Sequence, residues 1–327
     1  MNSADVRRAR PTVVIPCFNR REITLGCLER LKQIGVFASF HVLVVDDAST
    51  DGTAETIARK FPEVEVLRGH GELYWTGAVE LGMRHAYIAG AGCFIWINDD
   101  TEVTVGAIEA ITTRAEETGG IVSGQGIVIV EDKNYEGYFS LLYRGKAGLI
   151  TVEADRTRSE IDVDTCRGNL VAISRKVVEG IGYPDGKHIP HFGGDSDYGL
   201  RASRAGFSVK VLPHALVRET GIKRTDNQSW LLGETPVPEL WRRLFQKRNA
   251  FYPPMLFRYS CRHWGWIGFF KATFKILRLL GVSALKLMIP RRMRIFLFGG
   301  LSYSWKTLAP LRKNPSDSSP KQAGRHD

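Results

Sequence analysis

Cysteine is scarce in this chain and follows no pattern. There are five in 327 residues: Cys17, Cys27, Cys93, Cys166 and Cys261. The number is odd and no CxxC spacing occurs. That argues against a disulfide framework and a thiolate zinc site, and it fits a reducing compartment. Long apolar runs are missing as well. No segment reaches about 18 uninterrupted apolar residues, so no transmembrane helix is expected. The first ten residues, MNSADVRRAR, are polar, and the apolar stretch behind them, TVVIP, is too short for the core of a signal peptide. There is no internal repeat.

Acid is missing from one end. From Pro236 to Lys313 there are 16 Lys and Arg against a single acid, Glu239, while the whole chain carries a formal charge of +10. Residues 1–235 therefore hold five net negative charges, and a mildly acidic body is joined to a strongly basic end. With 43% hydrophobic and 24% charged residues, the length suits one large domain, or a domain with an appendage.

What is present is alternation. TVVIP (12–16), HVLVVD (41–46), VEVLR (64–68) and CFIWIN (93–98) read as strands. Helical spacing fills 21–35, the stretch after Asp51, 76–89 and 103–118, and GIVSGQGIVIV (120–130) reads as extended. This predicts an α/β fold with a mostly parallel central sheet covered by helices on both faces. Open sheets of this kind bind ligands at the carboxyl ends of their strands. Polar signals fall at three such ends: CFNR (17–20), DDASTDGT (46–53) and NDD (98–100). Further on, GNLVAISRKVVEGIG (168–182) reads as a strand running into a helix, GGDSDYGLRASRAGF (193–207) as an acidic loop entering a helix, and SVKVLP (208–213) as a last strand.

Two adjacent carboxylates at a strand end, Asp99 and Asp100, repel each other unless a cation is held there. Hard oxygen ligands favour Mg²⁺ or Mn²⁺, with a substrate phosphate completing the shell. The competing reading is a solvated turn that caps the next helix. Asp46 and Asp47 can accept from a pyrimidine N3–H or from ribose hydroxyls, or serve as caps, as Asp51 is expected to. Arg20 can pair with phosphate or sit on the surface.

In this order and spacing, TVVIPCFNR, VVDDASTDGT and INDDTE resemble the nucleotide-binding half of the family 2 inverting glycosyltransferases with the GT-A fold. CRGNLVAISRKVVEGIGYPD is similar to the acceptor-side segment, and GGDSDYGLRASRAGF to the acidic loop and its helix. LYWTGAVELGMRHA (73–86) resembles the segment of bacterial rhamnosyltransferase-like and galactofuranosyltransferase-like members. The resemblance spans about residues 11–225. It implies donor binding by Pro16, Phe18, Asn19, Arg20, Asp46, Asp47, Trp75 and Asp99, with the backbone near Pro16 and the Asp47 side chain on the base and Asp99 near the ribose. It implies Asp100 as metal ligand and Asp195 as catalytic base, with Asp197 as runner-up. Gly168, Asn169, His191 and Asp197 fall on the acceptor side, and His188 and His191 flank the acidic loop. Where many members carry a metal-ligating histidine, this chain reads VLPHALVRETG, so either His214, about five residues early, serves, or Glu219 does, or the third ligand is absent.

The chemistry this implies is transfer of a sugar from a nucleotide-diphosphate donor (a dTDP- or UDP-sugar, rhamnose or galactofuranose by resemblance) to a hydroxyl of a glycan or lipid-linked acceptor in bacterial surface polysaccharide synthesis. A divalent cofactor is expected. Two other classes compete. A sugar nucleotidyltransferase would carry a Gly-rich basic loop after the first strand, and CFNRREIT has no such glycines. A degenerate, non-catalytic glycosyltransferase-like protein would fit the displaced histidine.

The basic end has its own pattern. Lys271, Lys275, Arg278 and Lys286 are spaced by four, three and eight, and share one helical stripe. Trp264, Trp266, Phe269, Phe270, Phe274, Leu277, Leu280 and Leu287 supply apolar surface elsewhere. This reads as an interfacial helix on an anionic membrane. An appendage packed on the body competes with it; nucleic acid is not expected, because no motif for it is present. The domain reading is a GT-A catalytic domain over 1–235 (nucleotide half about 11–130, acceptor half about 131–235), a membrane-associating helical region over 236–310 and a disordered tail over 311–327. The expected location is the cytoplasm, at the inner face of the membrane.

Overall fold

Six strands of the central sheet run one way, and this fixes the edge at which polar residues collect. The computed structural model describes residues 10–130, 135–138, 141–146, 148–152, 154–155, 157–219 and 233–297. The first half is β1 (Thr12–Cys17), α1 (Arg21–Gln33), α2 (Val36–Ser39), β2 (His41–Asp46), α3 (Thr53–Lys60), β3 (Glu65–Arg68), α4 (Tyr74–Ile88) and β4 (Cys93–Ile97). Then come β5 (Thr101–Val103), α5 (Ala107–Thr118), β6 (Ile121–Val130), β7 (Tyr135–Tyr138), the hairpin β8 (Leu141–Gly145) and β9 (Gly148–Val152), and β10 (Ile161–Asp162). The chain continues with β11 (Leu170–Ser174), α6 (Arg175–Ile181), α7 (Gly194–Arg204), β12 (Val209–Glu219), α8 (Val237–Leu244) and α9 (Pro253–Met288).

The strand order is β10-β12-β6-β11-β4-β1-β2-β3. β1 pairs in parallel with β2 and β4, β2 with β3, and β12 with β6. β11 runs against both neighbours, β4 and β6, so the sheet is mixed. The central strands are apolar without alternation because both faces are covered. On one face Leu28, Leu31, Ile57, Ile108 and Ile111 of α1, α3 and α5 are fully buried; on the other, Val79, Met83, Tyr198 and Ala202 of α4 and α7 are.

Three departures from the sequence reading have physical causes. Thr101–Val103, expected to lead into a helix, forms β5 instead and pairs antiparallel with the end of β12. α5 starts only after Gly106, whose φ of 78° breaks the chain direction. β12 does not stop at Pro213: proline cannot donate to the ladder, so the register shifts between Leu212 and Leu216, and pairing with β6 then resumes. The hairpin β8–β9 lies in a stretch with no clear period and was not foreseen.

The basic end is two helices, α8 and α9, and α9 is broken at Gly265 (φ 53°, ψ −132°). The helix ending there leaves carbonyls without intrahelical partners. Arg204 donates to the Arg262 and His263 carbonyls at 2.7 Å each, and Arg144 to the His263 carbonyl at 2.6 Å. The first segment of α9 is thus fastened to α7 and to the hairpin. Among the described residues no helix is long and apolar enough to cross a membrane. The tail expected to be disordered, 311–327, and the end of the basic region beyond residue 297 lie outside the described residues.

Candidate active site

The carboxyl ends of β1, β2 and β4 open into one cavity of about 840 Å³, lined by Pro16, Phe18, Arg20, Asp47, Asp99 and Asp100 on one side and by Gly168, Asn169, His191 and Asp195 on the other. Regions read as separate polar signals in the sequence therefore meet in space.

The positive charge that the paired acids call for comes from the chain itself. Arg20 Nη1 lies 2.8 Å from Asp99, and its Nη2 lies 2.9 Å from Asp100. Thr24 adds a hydroxyl donor to Asp99 at 3.1 Å. The Asp99 side chain is 3% exposed, and burial pushes its carboxyl up to about 6 against the pull of Arg20. The Asp100 side chain is 29% exposed. Arg20, read from the sequence as a phosphate ligand, is here engaged by both carboxylates.

The second strand end uses its acids to shape loops. Asp46 is fully buried, accepts the Ser49 N–H at 2.9 Å and is not part of the cavity lining. Asn19, with φ 50°, accepts the Thr50 N–H at 2.8 Å and donates its own N–H to Ser49. Asp51, expected as a cap, accepts the Thr53 N–H at 3.1 Å from just before α3, while the N-cap position itself is Gly52. Asp47 lines the cavity, and its carboxylate accepts N–H groups from Gly71 (2.7 Å), Leu73 (2.9 Å) and Tyr74 (3.0 Å). These bonds hold Tyr74 at φ 55°, a costly conformation for a bulky residue. A base N–H at Asp47 would join three backbone donors already there.

Trp75 joins the two sides. Its indole N–H donates to Asn98 at 2.7 Å, and Asn98 donates to Asn169 at 3.2 Å. A Cβ on Gly168 would sit 2.6 Å from the Trp75 ring and 3.2 Å from the Asp195 Cβ, so only glycine admits this contact. The Gly168 N–H donates to Asp195 Oδ2 at 2.9 Å, and the Ser196 N–H to Oδ1 at 2.7 Å. Gly194 is equally tight: a Cβ there would meet the Thr76 Oγ1 at 2.1 Å.

Asp197 is not placed like Asp195. It is fully buried, 2.9 Å from Arg262, 3.0 Å from Arg201 and 2.8 Å from His263. Burial raises its carboxyl, but the hydrogen bond with His263 and the charges of Arg201 and Arg262 outweigh that and hold it below 3.8. It does not line the cavity.

The histidines divide. His191 lines the cavity with an unpartnered, buried Nδ1, and burial together with Arg248 lowers its pKa to about 4, so it is neutral near pH 7. His188 turns to Asp185 at 2.7 Å. His214 is exposed on β12 and is not part of the cavity lining, so the structure does not bring it to Asp100. The Glu219 backbone pairs with Thr101, next to Asp100. Among the described residues no group of three or more His, Cys, Asp or Glu side chains is arranged to hold a metal. The donor chemistry still fits a hard divalent ion that needs one or two carboxylates and takes its remaining ligands from phosphate and water. Asp100 supplies such an oxygen at the cavity.

A family model described as "Glycosyltransferase like family 2" matches residues 9–233. The chain belongs to that family. No curated protein matches it. Among solved structures it is similar to GalNAc-T7, crystallised with UDP, GalNAc and Mn²⁺, at 14% identity and a TM-score of 0.54, covering 93% of this chain and 58% of that one. It is also similar to the mannosyltransferase PcManGT from Pyrobaculum calidifontis, in complex with GDP-Man and Mn²⁺, at 17% identity and a TM-score of 0.52, covering 93% and 84%. At these identities the likeness is one of fold, and that fold is GT-A.

For this family 2 glycosyltransferase, sequence reasoning missed part of the site. Arg167, Gln246 and Arg248 also line the cavity. Arg167 sits directly before the Gly168–Asn169 pair that was singled out. Gln246 and Arg248 lie beyond the composition change at 235, where the charge excess drew attention to a membrane and away from the cleft. Lys247 between them reaches Glu72 at 2.7 Å and lies over the Tyr74 ring, which ties this strap across the mouth.

Proposed function

We propose that the protein transfers a glycosyl residue from a nucleoside-diphosphate sugar to an acceptor hydroxyl with inversion, and that Asp195 is the base. The observation that carries this reading is the contrast between Asp195 and Asp197. Asp195 faces the cavity, oriented by two backbone N–H groups, while the buried Asp197 is spent on Arg201, Arg262 and His263. An acceptor hydroxyl is a weak nucleophile near neutral pH. Asp195 takes its proton as the oxygen attacks the anomeric carbon, and the bond to the β-phosphate breaks with its electron pair leaving on the nucleoside diphosphate.

A divalent ion held through Asp100, when bound, would offset the charge growing on that diphosphate. Arg248 adds positive charge at the same cavity; its guanidinium makes no ion pair with a described residue. Asp47 and the backbone at Pro16 serve the base, and Asp99 the ribose. The finer reading is a dTDP- or UDP-sugar donor, with rhamnose as one candidate sugar, and a glycan or lipid-linked acceptor in bacterial surface polysaccharide synthesis. It belongs to the same proposal and rests on the resemblance around LYWTGAVELGMRHA.

The test is binding of UDP, dTDP, GDP and CDP by calorimetry, with and without Mn²⁺ or Mg²⁺, to the protein and to Asp100→Asn. The proposal expects one nucleotide class to bind more tightly with metal, and the variant to lose at least about tenfold of that metal-dependent gain. Binding of no nucleotide under any condition would remove the donor site.

A further inference from the structure

After the break at Gly265, α9 turns its apolar face outward. Trp266, Phe270, Phe274, Leu277, Gly281, Ala284 and Met288 recur every three or four residues and form one stripe along the helix. Trp266 is 78% exposed, Phe270 67%, Phe274 66% and Met288 79%. The buried residues, Gly268, Ala272, Leu279 and Ser283, lie on the opposite side, against the protein. This inverts the usual surface helix, whose solvent face is polar. Beyond it, Met293, Ile295, Phe296 and Leu297 are exposed too. A contiguous apolar surface of this kind marks an interaction site.

The charges say what covers it. Lys271, Lys275 and Arg278 run along one flank of the stripe, Arg291 and Arg292 follow it, and α9 contains no acid. A second copy docking face to face would set like charges against like, because a two-fold contact repeats the same patch on both partners. An anionic bilayer takes up the aromatic stripe and attracts the flank.

We infer that residues 266–297 form a docking surface for an anionic lipid bilayer. The surface has a fixed bearing on the catalytic cleft. The segment before Gly265 is locked by Arg262 and His263 to Asp197, and Tyr259 donates to the Ser196 hydroxyl at 3.2 Å, one residue from Asp195. Docking the stripe therefore holds the cavity in one orientation above the membrane. That last consequence bears on lipid-linked acceptors and rests on the proposed function; the lipid binding itself does not.

The experiment is flotation of the full chain with vesicles of phosphatidylcholine alone and of phosphatidylcholine mixed with phosphatidylglycerol, alongside light scattering of the protein without lipid. The expected result is a monomer that floats with the anionic vesicles and far less with the neutral ones. Trp266→Ser combined with Phe270→Ser and Phe274→Ser should lower partitioning by about tenfold or more, and each of Lys271→Gln, Lys275→Gln and Arg278→Gln by about fivefold. Circular dichroism and nucleotide binding show that the variants remain folded. No flotation with either vesicle overturns the inference, and so does a stable dimer that the triple Ser variant dissolves. Nucleotide binding that fails while flotation succeeds overturns only the donor site.

Discussion

The two acidic turns, residues 98–100 and 193–197, lie on opposite sides of the cleft and neutralise their paired carboxylates differently: Asp99, Asp100 and Asp195 line the cavity, and Asp197 does not. In the first, one guanidinium, Arg20, spans both Asp99 and Asp100, and it comes from the end of the neighbouring strand, β1. In the second, the guanidinium groups of Arg201 and Arg262 and the His263 ring, whose pKa burial lowers, all go to Asp197, and Asp195 is left with backbone donors alone. Two of those three partners, Arg262 and His263, come from the C-terminal region. A carboxylate's availability is set by where the chain sends its donors, and the basic end helps to decide which acid is left facing the cavity.

The largest effect should fall on Asp195. Asp195→Asn is expected to slow glycosyl transfer by about 10²–10⁴-fold while leaving nucleotide affinity unchanged, measured by turnover and by calorimetry. Asp197→Asn should act on the fold. It leaves the half-buried Arg201 and Arg262 without their shared counter-charge, at about 3 kcal/mol, read from denaturant unfolding. The sign with pH follows from the depressed Asp197 carboxyl. Its stabilisation is present above the ordinary value of 3.8 and is lost as pH falls through the lower folded value, so wild type and variant should converge in strongly acidic buffer.

Arg20→Gln probes the first turn. It should cost about 1–2 kcal/mol, because Arg20 is partly exposed and its pairs are screened. Added Mn²⁺ should raise the thermal midpoint of this variant more than that of wild type, since a metal at Asp100 takes over part of the lost charge. The smallest effect should be at the rim. Arg248→Gln is expected to weaken a nucleoside diphosphate by about tenfold and the monophosphate hardly at all.

The strand ends and their convergence were legible because buried parallel strands are apolar throughout, so the polar residues at CFNR, DDASTDGT and NDD stand out against them. The acidic stretch reads as a loop entering a helix; Asp195 and Asp197 instead form the first turn of α7 itself. What the sequence hid was partnership. Nothing in NDD shows that Arg20, some 80 positions away, bridges its two acids. Within GGDSDYGLR only Arg201, four residues after Asp197, hints at the difference between Asp195 and Asp197; the other two partners, Arg262 and His263, lie beyond residue 260. The strap carrying Gln246 and Arg248 was obscured by composition, since a basic stretch looks alike whether it faces lipid or a cleft. β5 and the bulge in β12 were hidden because short strands made by edge pairing have no period of their own.

The central claim is direct displacement assisted by Asp195, and the anomeric configuration of the product tests it most directly. Turnover of a nucleotide sugar that the protein binds, followed by NMR before the product equilibrates, should give a product whose anomeric centre is opposite to that of the donor. A product with the donor's configuration would contradict the account.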